Sequence, residues 1–378
     1  MSFAKFDVIV VGVGAMGAST CYQLAHRGLS VLGLEQFSFP NNMGSSHGQS
    51  RAFRMAYFEH PDYVPLLRRS LELWQDLELK TEEKLLYVTG GLYLGRPDSE
   101  LVSGSLKSCT DHGLSYAPLN HRGITSQYPQ FSIPNDFVGL FEELAGVLLP
   151  ERIIEGFASL ARAHSAQINE FETVTHWESF GTGVKVTTNL DSYHADKLIF
   201  CGGAWSGQLL RDLDIPLVVT RQVTGWFTSL KAERFQLGMF PTWAIETPGN
   251  DLFYGMPALP GEVGLKAGHH RLGSVALPDS MDRKSEDVEI CSLVDFTKDF
   301  IPGVGSEVSG MRACMYTNTP DGHFVLDQHP HSENVYIAAG FSGHGFKFAS
   351  VVGEIMADFA ERGTTDLPVS PFKLARFR

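Results

Sequence analysis

The sequence predicts an α/β fold, with α+β features, in which one domain is interrupted by a second. A strand, a glycine-rich turn, a helix and another strand follow one another at the N-terminus, within Phe6–Glu35. A further strand, glycine-rich loop and helix occur within Val335–Ala360, and the segment 220–320 is rich in strand-forming residues. The length of 378 residues corresponds to about two domains at a usual size of roughly 150 residues each.

Hydrophobic periodicity places the individual elements along the chain. Runs of β-branched and apolar residues predict strands at Phe6–Val11, Ser30–Glu35, Lys197–Cys201, Val223–Ser229, Leu252–Met256, Val263–His270, Met311–Thr317 and Val335–Ala339. Helical spacing predicts helices at Ala18–Arg27, Tyr63–Leu79, Pro150–Ala163 and Phe346–Ala360. Short strands broken by Gly and Pro are predicted within 86–145. A turn at Gly181–Gly183 divides the strands that are predicted within 168–188.

Composition excludes several classes of function. The net charge of −13 argues against a nucleic-acid binder and against a polybasic membrane-surface protein. No apolar stretch reaches the roughly 18 residues that a membrane span needs. The five cysteines form no CxxC pair and no metal-type spacing. We therefore expect no disulfide framework, no metal and a cytoplasmic location.

The first motif is Gly12-x-Gly14-x-x-Gly17, which follows a strand and opens a helix. Glycines at these positions allow a tight turn and close approach of a pyrophosphate to the helix N-terminus. Glu35 ends the next predicted strand, where a carboxylate accepts hydrogen bonds from ribose hydroxyl groups. The motif predicts a dinucleotide site and leaves NAD and FAD open.

The second motif is the C-terminal glycine loop, which contains Gly343, His344 and Gly345 and is followed by Lys347. A helix N-terminus together with a lysine stabilises the negative charge of a reduced flavin. An ordinary connection between a strand and a helix is the alternative interpretation.

The elements of dinucleotide-binding type occur at both ends and in the middle of the chain. This distribution predicts a discontinuous, Rossmann-like domain formed by 1–85, 147–218 and 321–378. The remaining segments, 86–146 and 219–320, form an inserted mixed-sheet domain that we expect to bind the substrate.

Isolated polar residues give weaker signals. Lys266 and His270 share one face of a predicted strand, and Gly268 between them leaves space above the backbone. A solvent-facing edge strand explains the same pattern. Arg51 and Arg54 offer planar forks for carboxylates, although a solvated charge pair is the simpler interpretation. The residues alone give no reason to prefer Cys314 over Cys201.

Together these residues resemble the monomeric sarcosine oxidase and N-methyltryptophan oxidase group, which belongs to the D-amino-acid-oxidase-like flavoproteins. The resemblance runs from end to end and implies that family's two-domain architecture. Besides the N-terminal motif it is carried by Gly44–Arg51 with Arg54, Tyr63–Leu66, Gly203–Trp205, Tyr254–Pro257, Gly264–Lys266 with His270, Cys314–Thr317 and Gly340–Ser350.

The resemblance implies FAD that is held covalently through a cysteine thioether, and Cys314 stands at that position. It places His47 and Arg51 beside the flavin and Lys266 at the position of the oxygen-activating lysine. A monomer is implied as well.

On the substrate side, the resemblance implies that Arg54 and Lys347 bind the carboxylate of an amino acid. Tyr254, His270 and Tyr316 would line the pocket. The implied activity is oxidation of a secondary-amine (N-methyl) amino acid such as sarcosine by oxygen, which gives an imine and hydrogen peroxide.

Some residues depart from the family pattern. Ser46 and Gln49 replace a histidine and an aspartate in the early loop, and Ala244 and Ile245 stand near the position of a larger pocket residue. A bulkier substrate, such as N-methyltryptophan or a fructosyl amino acid, therefore stays an alternative. A dehydrogenase with another electron acceptor, a nicotinamide-dependent dehydrogenase and a flavin-bearing protein without turnover are further alternatives.

Overall fold

The computed structural model describes residues 5–180, 182–213, 215–229, 231–261, 264–270, 273–305 and 307–377. Its helices are α1 (Ala15–His26), α2 (Val64–Thr81), α3 (Glu100–His112), α4 (His121–Gln127), α5 (Pro150–Ala163), α6 (Ser206–Leu209), α7 (Asp287–Phe300) and α8 (Ala349–Arg362). Its strands are β1 (Lys5–Val11), β2 (Val31–Leu34), β3 (Arg51–Phe53), β4 (Leu86–Val88), β5 (Gly91–Gly95), β6 (Ala117–Leu119), β7 (Val138–Glu142), β8 (Gly146–Leu148), β9 (Gln167–Asn169), β10 (Val174–Phe180), β11 (Gly183–Thr188), β12 (Ser192–Phe200), β13 (Val218–Phe227), β14 (Thr242–Glu246), β15 (Leu252–Met256), β16 (Leu265–His270), β17 (Val308–Asn318), β18 (Val325–Gln328) and β19 (Val335–Ala339).

Parallel strands from distant parts of the chain form the sheet that carries the N-terminal glycine motif. The strand order is β10-β11-β12-β1-β2-β9, and β19 pairs with β12 and with β18. The pairs β1–β2, β1–β12, β2–β9 and β12–β19 are parallel. Every residue of β2 and β19 is buried, as expected for parallel strands that are covered on both faces. Helix α1 packs against α5 and α8.

A second sheet is mostly antiparallel and has the order β17-β13-β16-β15-β14-β5-β7-β6. Its pair β14–β5 is parallel and joins the segment 91–95 to the segment 242–246. Phe131, Phe240, Trp243 and Phe296 lie in its core. A small sheet has the order β3-β8-β4, and its strand β3 contacts β15 of the second sheet and the 3₁₀ turn Phe346–Phe348.

The structure confirms the mixed α/β architecture and many of the predicted elements. Helix α5 and strands β15 and β19 have the predicted bounds. Helix α1 begins three residues earlier than predicted, and β12 and β13 each begin five residues earlier. Gly181 of the predicted turn and Val263 of the predicted strand lie outside the described residues.

Three helices in the segments that also supply the second sheet were not predicted. The segment 86–145 contains helices α3 and α4 besides strands, and α7 was not predicted. Ser99 caps α3 by accepting from the Val102 backbone N–H, and Gly113 ends that helix in a left-handed conformation. A capping box formed by Glu286 and Glu289 begins α7. These caps are sequence signals that hydrophobic periodicity alone does not detect.

Two absences concern only the residues that the structure describes. None of their helices combines the length and hydrophobicity that a membrane span requires. None of their clusters brings together three or more His, Cys, Asp and Glu side chains that could hold a metal ion.

Gly17 sets how closely α1 approaches the turn that precedes it. A Cβ atom at Gly17 would lie 1.8 Å from the Gly12 carbonyl oxygen, which belongs to the rigid backbone after β1. We expect Gly17→Ala to lower the free energy of unfolding by about 3 kcal/mol, the upper end of the usual cost of overpacking. Urea denaturation of both proteins measures this change.

Gly207→Ala is the control for that experiment. Gly207 lies in α6, and an added Cβ atom there meets no other described atom within 4 Å. Equal denaturation midpoints for the two variants would contradict the role of Gly17.

Candidate active site

The glycine turn after β1 forms an open cradle at the N-terminus of α1. Gly12 has a φ of +87°, and a Cβ atom there would lie 2.5 Å from the Cys201 carbonyl oxygen. At Gly14 the nearest atom to an added Cβ atom is Ser46 Oγ at 3.9 Å, so this glycine faces open space. Among the described residues no side chain caps α1, which leaves its N-terminal N–H groups for a phosphate.

Glu35 lies at the wall of the same cavity, where the sequence predicts a ribose contact. Its carboxylate accepts hydrogen bonds from the backbone N–H groups of Val13 (2.9 Å) and Phe37 (3.1 Å). Burial raises its pKa, and these two N–H groups oppose that shift. A carboxylate has about four acceptor positions, so both bonds fix its orientation and leave capacity for ribose hydroxyl groups.

A polar loop after β2 encloses the middle of the cavity. Arg51 donates to the carbonyl oxygens of Ser45 and Ser50, each at 2.8 Å. Lys266 reaches the same loop from β16, and its Nζ donates to the carbonyl oxygens of Gly48 (2.7 Å) and Ser50 (2.9 Å). The side chain of Lys266 is almost fully buried. The loop therefore has two cations bound to its backbone oxygens.

His47 lies in this loop as a buried, neutral imidazole. Burial and then the nearby Arg51 charge lower its pKa to about 3. Its Nε2 atom is buried and has no hydrogen-bond partner among the described residues. Since His47 lines the cavity, this atom fits a polar atom of a bound cofactor.

Cys314 lies on β17 and lines the cavity between this loop and the aromatic wall described next. Burial raises the pKa of its thiol, whereas Arg51, Lys266 and Arg283 act in the opposite direction. Cys201 also lines the cavity, but its carbonyl group lies against Gly12 at the phosphate end. The structure therefore distinguishes Cys314 from Cys201 by position in the cavity, which the sequence alone did not.

Tyr254, His270 and Tyr316, which the family resemblance implies as pocket residues, form an aromatic wall of the cavity. His270 Nδ1 lies 3.3 Å from Tyr316 Oη, and the ring centroids of Tyr254 and His270 are 6.2 Å apart. A Cβ atom at Gly343 would lie 2.2 Å from the Tyr316 ring. The prediction of open space above Gly268 is wrong, because the ring of Tyr254 fills it at 2.8 Å from an added Cβ atom.

Arg54 and Lys347 line the cavity together, although they are almost 300 positions apart in the sequence. Arg54 donates to both carboxylate oxygens of Glu59, at 2.6 and 2.7 Å. Burial disfavours both charges, but the attraction between the two groups together with other neighbours outweighs it, so the pKa of Arg54 is raised and that of Glu59 is lowered. The sequence analysis missed Glu59.

Lys347 is the second cation of this cavity. Its Nζ donates to the His344 carbonyl oxygen at 2.7 Å, and it lies 5.2 Å from the centre of the Tyr57 ring. Burial, together with the Arg54 charge, lowers its pKa to about 7. His344 donates from Nε2 to the Gly322 carbonyl oxygen (3.0 Å), so its Nδ1 accepts from the Tyr57 hydroxyl group.

Buried contacts from the second sheet hold the segment that carries Arg54. Glu142, at the end of β7, accepts from the backbone N–H groups of Met55 (2.6 Å) and Ala56 (3.0 Å) and from the Tyr93 hydroxyl group (2.8 Å). It is 1% exposed, and burial raises its pKa. The sequence analysis missed Glu142 as well, because a lone glutamate in a strand carries no recognisable motif.

Comparisons with known proteins agree with this geometry. The profile of the family described as "FAD dependent oxidoreductase" matches residues 7–359. The chain is 41% identical to a monomeric sarcosine oxidase of Streptomyces avermitilis over 374 residues, which is 97% of this chain and 96% of that protein. It is 36% identical to an N-methyl-L-tryptophan oxidase of Escherichia coli over 381 residues, 99% of this chain and 100% of that protein.

A solved structure of similar fold is the open form of NikD, an unusual amino acid oxidase essential for nikkomycin biosynthesis. It has a TM-score of 0.86 and 26% identity, with 98% of this chain and 97% of NikD covered.

The fold and the cavity define a flavoprotein, and the chain belongs to the family of FAD-dependent oxidoreductases. Within this family, the chain is related to the monomeric sarcosine oxidases and to the N-methyltryptophan oxidases, as the sequence motifs indicated. This confirms FAD as the cofactor, which the glycine motif had left open with NAD. The roles of single residues and the two-domain boundaries stay predictions.

The lowered pKa of Lys347 generates a prediction about carboxylate binding. We expect the Kd of methoxyacetate, a carboxylate without an amine, to be nearly constant below about pH 7, where Lys347 is protonated. Above that pH the lysine of the free protein becomes neutral, so Kd rises by up to about tenfold per pH unit. The visible spectrum of the FAD-loaded protein measures binding.

Lys347→Gln should bind methoxyacetate more weakly and without this pH dependence. Lys107→Gln, which changes a lysine with a 63% exposed side chain, should behave like the unmodified protein. A Kd that does not change between pH 6 and pH 9 in the unmodified protein would rule out titration of Lys347.

Proposed function

We propose that the protein is an FAD-dependent oxidase of secondary-amine amino acids with a small N-substituent, such as N-methylglycine (sarcosine). The observation that carries this proposal is the joint position of Arg54 and Lys347 in the cavity that Cys314 also lines. Two buried cations favour a substrate carboxylate. The identity to monomeric sarcosine oxidases supports the same class of substrate.

The overall reaction converts the N-methyl amino acid, oxygen and water into the primary amine, formaldehyde and hydrogen peroxide. The amine loses two electrons and becomes an imine, which water hydrolyses. Oxygen takes up the two electrons and two protons.

The chain's own residues orient the substrate and control its protonation. Arg54 and Lys347 bind the carboxylate and so fix the direction of the amine in the cavity. The same two charges disfavour the protonated amine, which must be neutral before it reacts. Tyr254 and Tyr316, both half-buried in the wall, would exclude water and limit the orientation of the N-methyl group.

Other residues would hold FAD, which supplies the acceptor for the substrate electrons and transfers them to oxygen. Gly12, Gly14 and Glu35 would bind its adenosine diphosphate part, and His47 and Arg51 would lie beside its ring system. Lys266, whose Nζ is buried beside the loop 44–51, would stabilise negative charge that develops on oxygen. The N-terminus of the Phe346–Phe348 turn would favour a negatively charged ring.

We also propose a cytoplasmic location and a monomeric state. The five cysteines are free in the structure, which agrees with a cytoplasmic location. A monomer is proposed from the identity to oxidases that are themselves called monomeric.

A substrate panel with peroxide and formaldehyde detection tests the function. We expect N-methylglycine to yield equal amounts of both products. Arg54→Met should lower kcat/KM by about 30- to 4,000-fold, since removing one partner of a buried, hydrogen-bonded charge pair costs about 2–5 kcal/mol. Arg68→Met, on the surface of α2, is the control and should have little effect.

Two results would overturn the proposal. One is the absence of peroxide with every N-methyl amino acid when FAD is bound. The other is equal turnover of N-methylbutylamine, an amine without a carboxylate. Turnover of N-methyl-L-tryptophan in place of N-methylglycine would favour the bulkier substrate, for which the small Ala244 in the cavity wall leaves room. Activity with an artificial electron acceptor and none with oxygen would favour a dehydrogenase.

Covalent attachment of FAD through Cys314 is a separate proposal. We expect yellow colour to stay with the acid-denatured, washed unmodified protein and to pass into the supernatant from Cys314→Ser. Cys201→Ser is a matched control, because Cys201 also lines the cavity but lies at the phosphate end. Colour that is released from the unmodified protein, or retained by Cys314→Ser, would contradict the attachment.

A further inference from the structure

A second cleft lies next to the cavity that holds Arg54 and Lys347. Three residues, Phe58, Leu252 and His270, line both the cavity and this outer cleft. They therefore form the wall between the two spaces.

Of these three residues, Phe58 is the nearest to Arg54 in the sequence, and its ring contacts the Arg54 side chain. Its side chain is buried, and the Arg54 guanidinium carbon lies 4.5 Å from the centre of its ring. The ring also belongs to a small apolar cluster that includes Tyr93 and against which Ala244 and Leu252 pack. Phe58 thus contacts both the carboxylate-binding end and the side walls of the cavity.

The backbone of Phe58 is fixed by helix α3. A Cβ atom at Gly104 would lie 2.4 Å from the Phe58 carbonyl oxygen, so only glycine allows this contact. Ser108 of the same helix donates to the Tyr57 carbonyl oxygen. Because the backbone is held on one side by α3, the position of the Phe58 ring is determined and a smaller side chain would leave open space.

The two spaces differ in chemistry. Tyr93, Ala244 and Tyr254 contribute ring and methyl groups to the cavity. The outer cleft is lined mainly by polar and charged groups, which are the hydroxyl and carboxamide groups of Ser99, Thr247 and Asn250, the carboxylates of Asp98, Glu100, Glu246 and Asp251, and the side chains of Arg96 and His269. Such groups suit the hydroxyl-rich end of an extended substrate, and the apolar ring of Phe58 separates that surface from the cavity.

We propose that Phe58 determines substrate size, because its ring, together with Leu252 and His270, closes the cavity toward the outer cleft and so excludes amino acids with long, hydroxylated N-substituents. This inference rests on the proposed function and names the limit of its substrate class. With Phe58 replaced by alanine, the cavity and the cleft become continuous, and N-fructosylglycine can place its sugar hydroxyls against the polar residues of the cleft.

The test compares N-methylglycine, N-methyl-L-tryptophan and N-fructosylglycine with the FAD-loaded protein. For Phe58→Ala we expect the ratio of kcat/KM for N-fructosylglycine to that for N-methylglycine to rise by at least about tenfold, the usual discrimination of a steric wall. The ratio for N-methyl-L-tryptophan should rise less, since its indole ring finds few apolar partners in the cleft. Phe58→Leu should change the ratios in the same direction by a smaller factor.

Phe131→Leu is the matched control. Phe131 is similarly buried and stacks on Phe240, and it lines neither of the two spaces in the described chain. A general loss of packing would lower kcat/KM for all substrates in both variants and leave the ratios unchanged.

Binding measurements test the role of Phe58 even if the protein oxidises no amine. If no amine is oxidised, the proposed function fails, but Kd values from the flavin spectrum still test the wall. We then expect the ratio of the Kd of N-fructosylglycine to that of N-methylglycine to be at least about tenfold lower in Phe58→Ala than in the unmodified protein. Unchanged ratios, or equal acceptance of both ligands by the unmodified protein, would overturn the proposal.

Discussion

The burial of positive charge is the constraint on which the rest of this structure depends. Arg51, Lys266 and Lys347 are bound mainly to backbone carbonyl oxygens, whereas Arg54 is paired with a carboxylate. Carbonyl dipoles reduce the cost of burying a cation without cancelling its charge. The loop 44–51 and the turn before α8 therefore fold around these cations, and the cavity keeps a positive potential that suits a flavin and the carboxylate of the proposed substrate.

Local signals in the sequence were sufficient for much of the fold. The turn Gly12–Gly17 lies between a buried strand and a helix, as its motif requires, and Gly17 tolerates no side chain. Helix α5 has the predicted bounds because its apolar residues follow one clear period, and strand β19 has them because it is a continuous apolar run that ends at a glycine. Period and spacing did not distinguish Cys314 from Cys201, and they did not indicate that Arg54 and Lys347 lie in one cavity. The family resemblance supplied both expectations.

The features that were missed depend on tertiary contacts. Helix α3 is rich in Ser and Gly because it packs on the backbone near Phe58, and that composition weakens its hydrophobic period. Glu59 and Glu142 have no motif around them, and their importance appears only when Arg54 and the backbone after it are placed beside them. Gly268 was associated with empty space, but a ring from the neighbouring strand fills it.

The bidentate pair between Arg54 and Glu59 has a consequence for the energetics of ligand exchange. Glu59 accepts from a single nitrogen of the Arg54 guanidinium with both of its oxygens, so a substrate carboxylate that binds at Arg54, as proposed, would share the guanidinium with an internal competitor. This internal competitor lowers the affinity of the cavity for stray anions such as chloride or phosphate. Because Glu59 remains beside Arg54, the guanidinium would keep a charge-assisted contact when the product leaves.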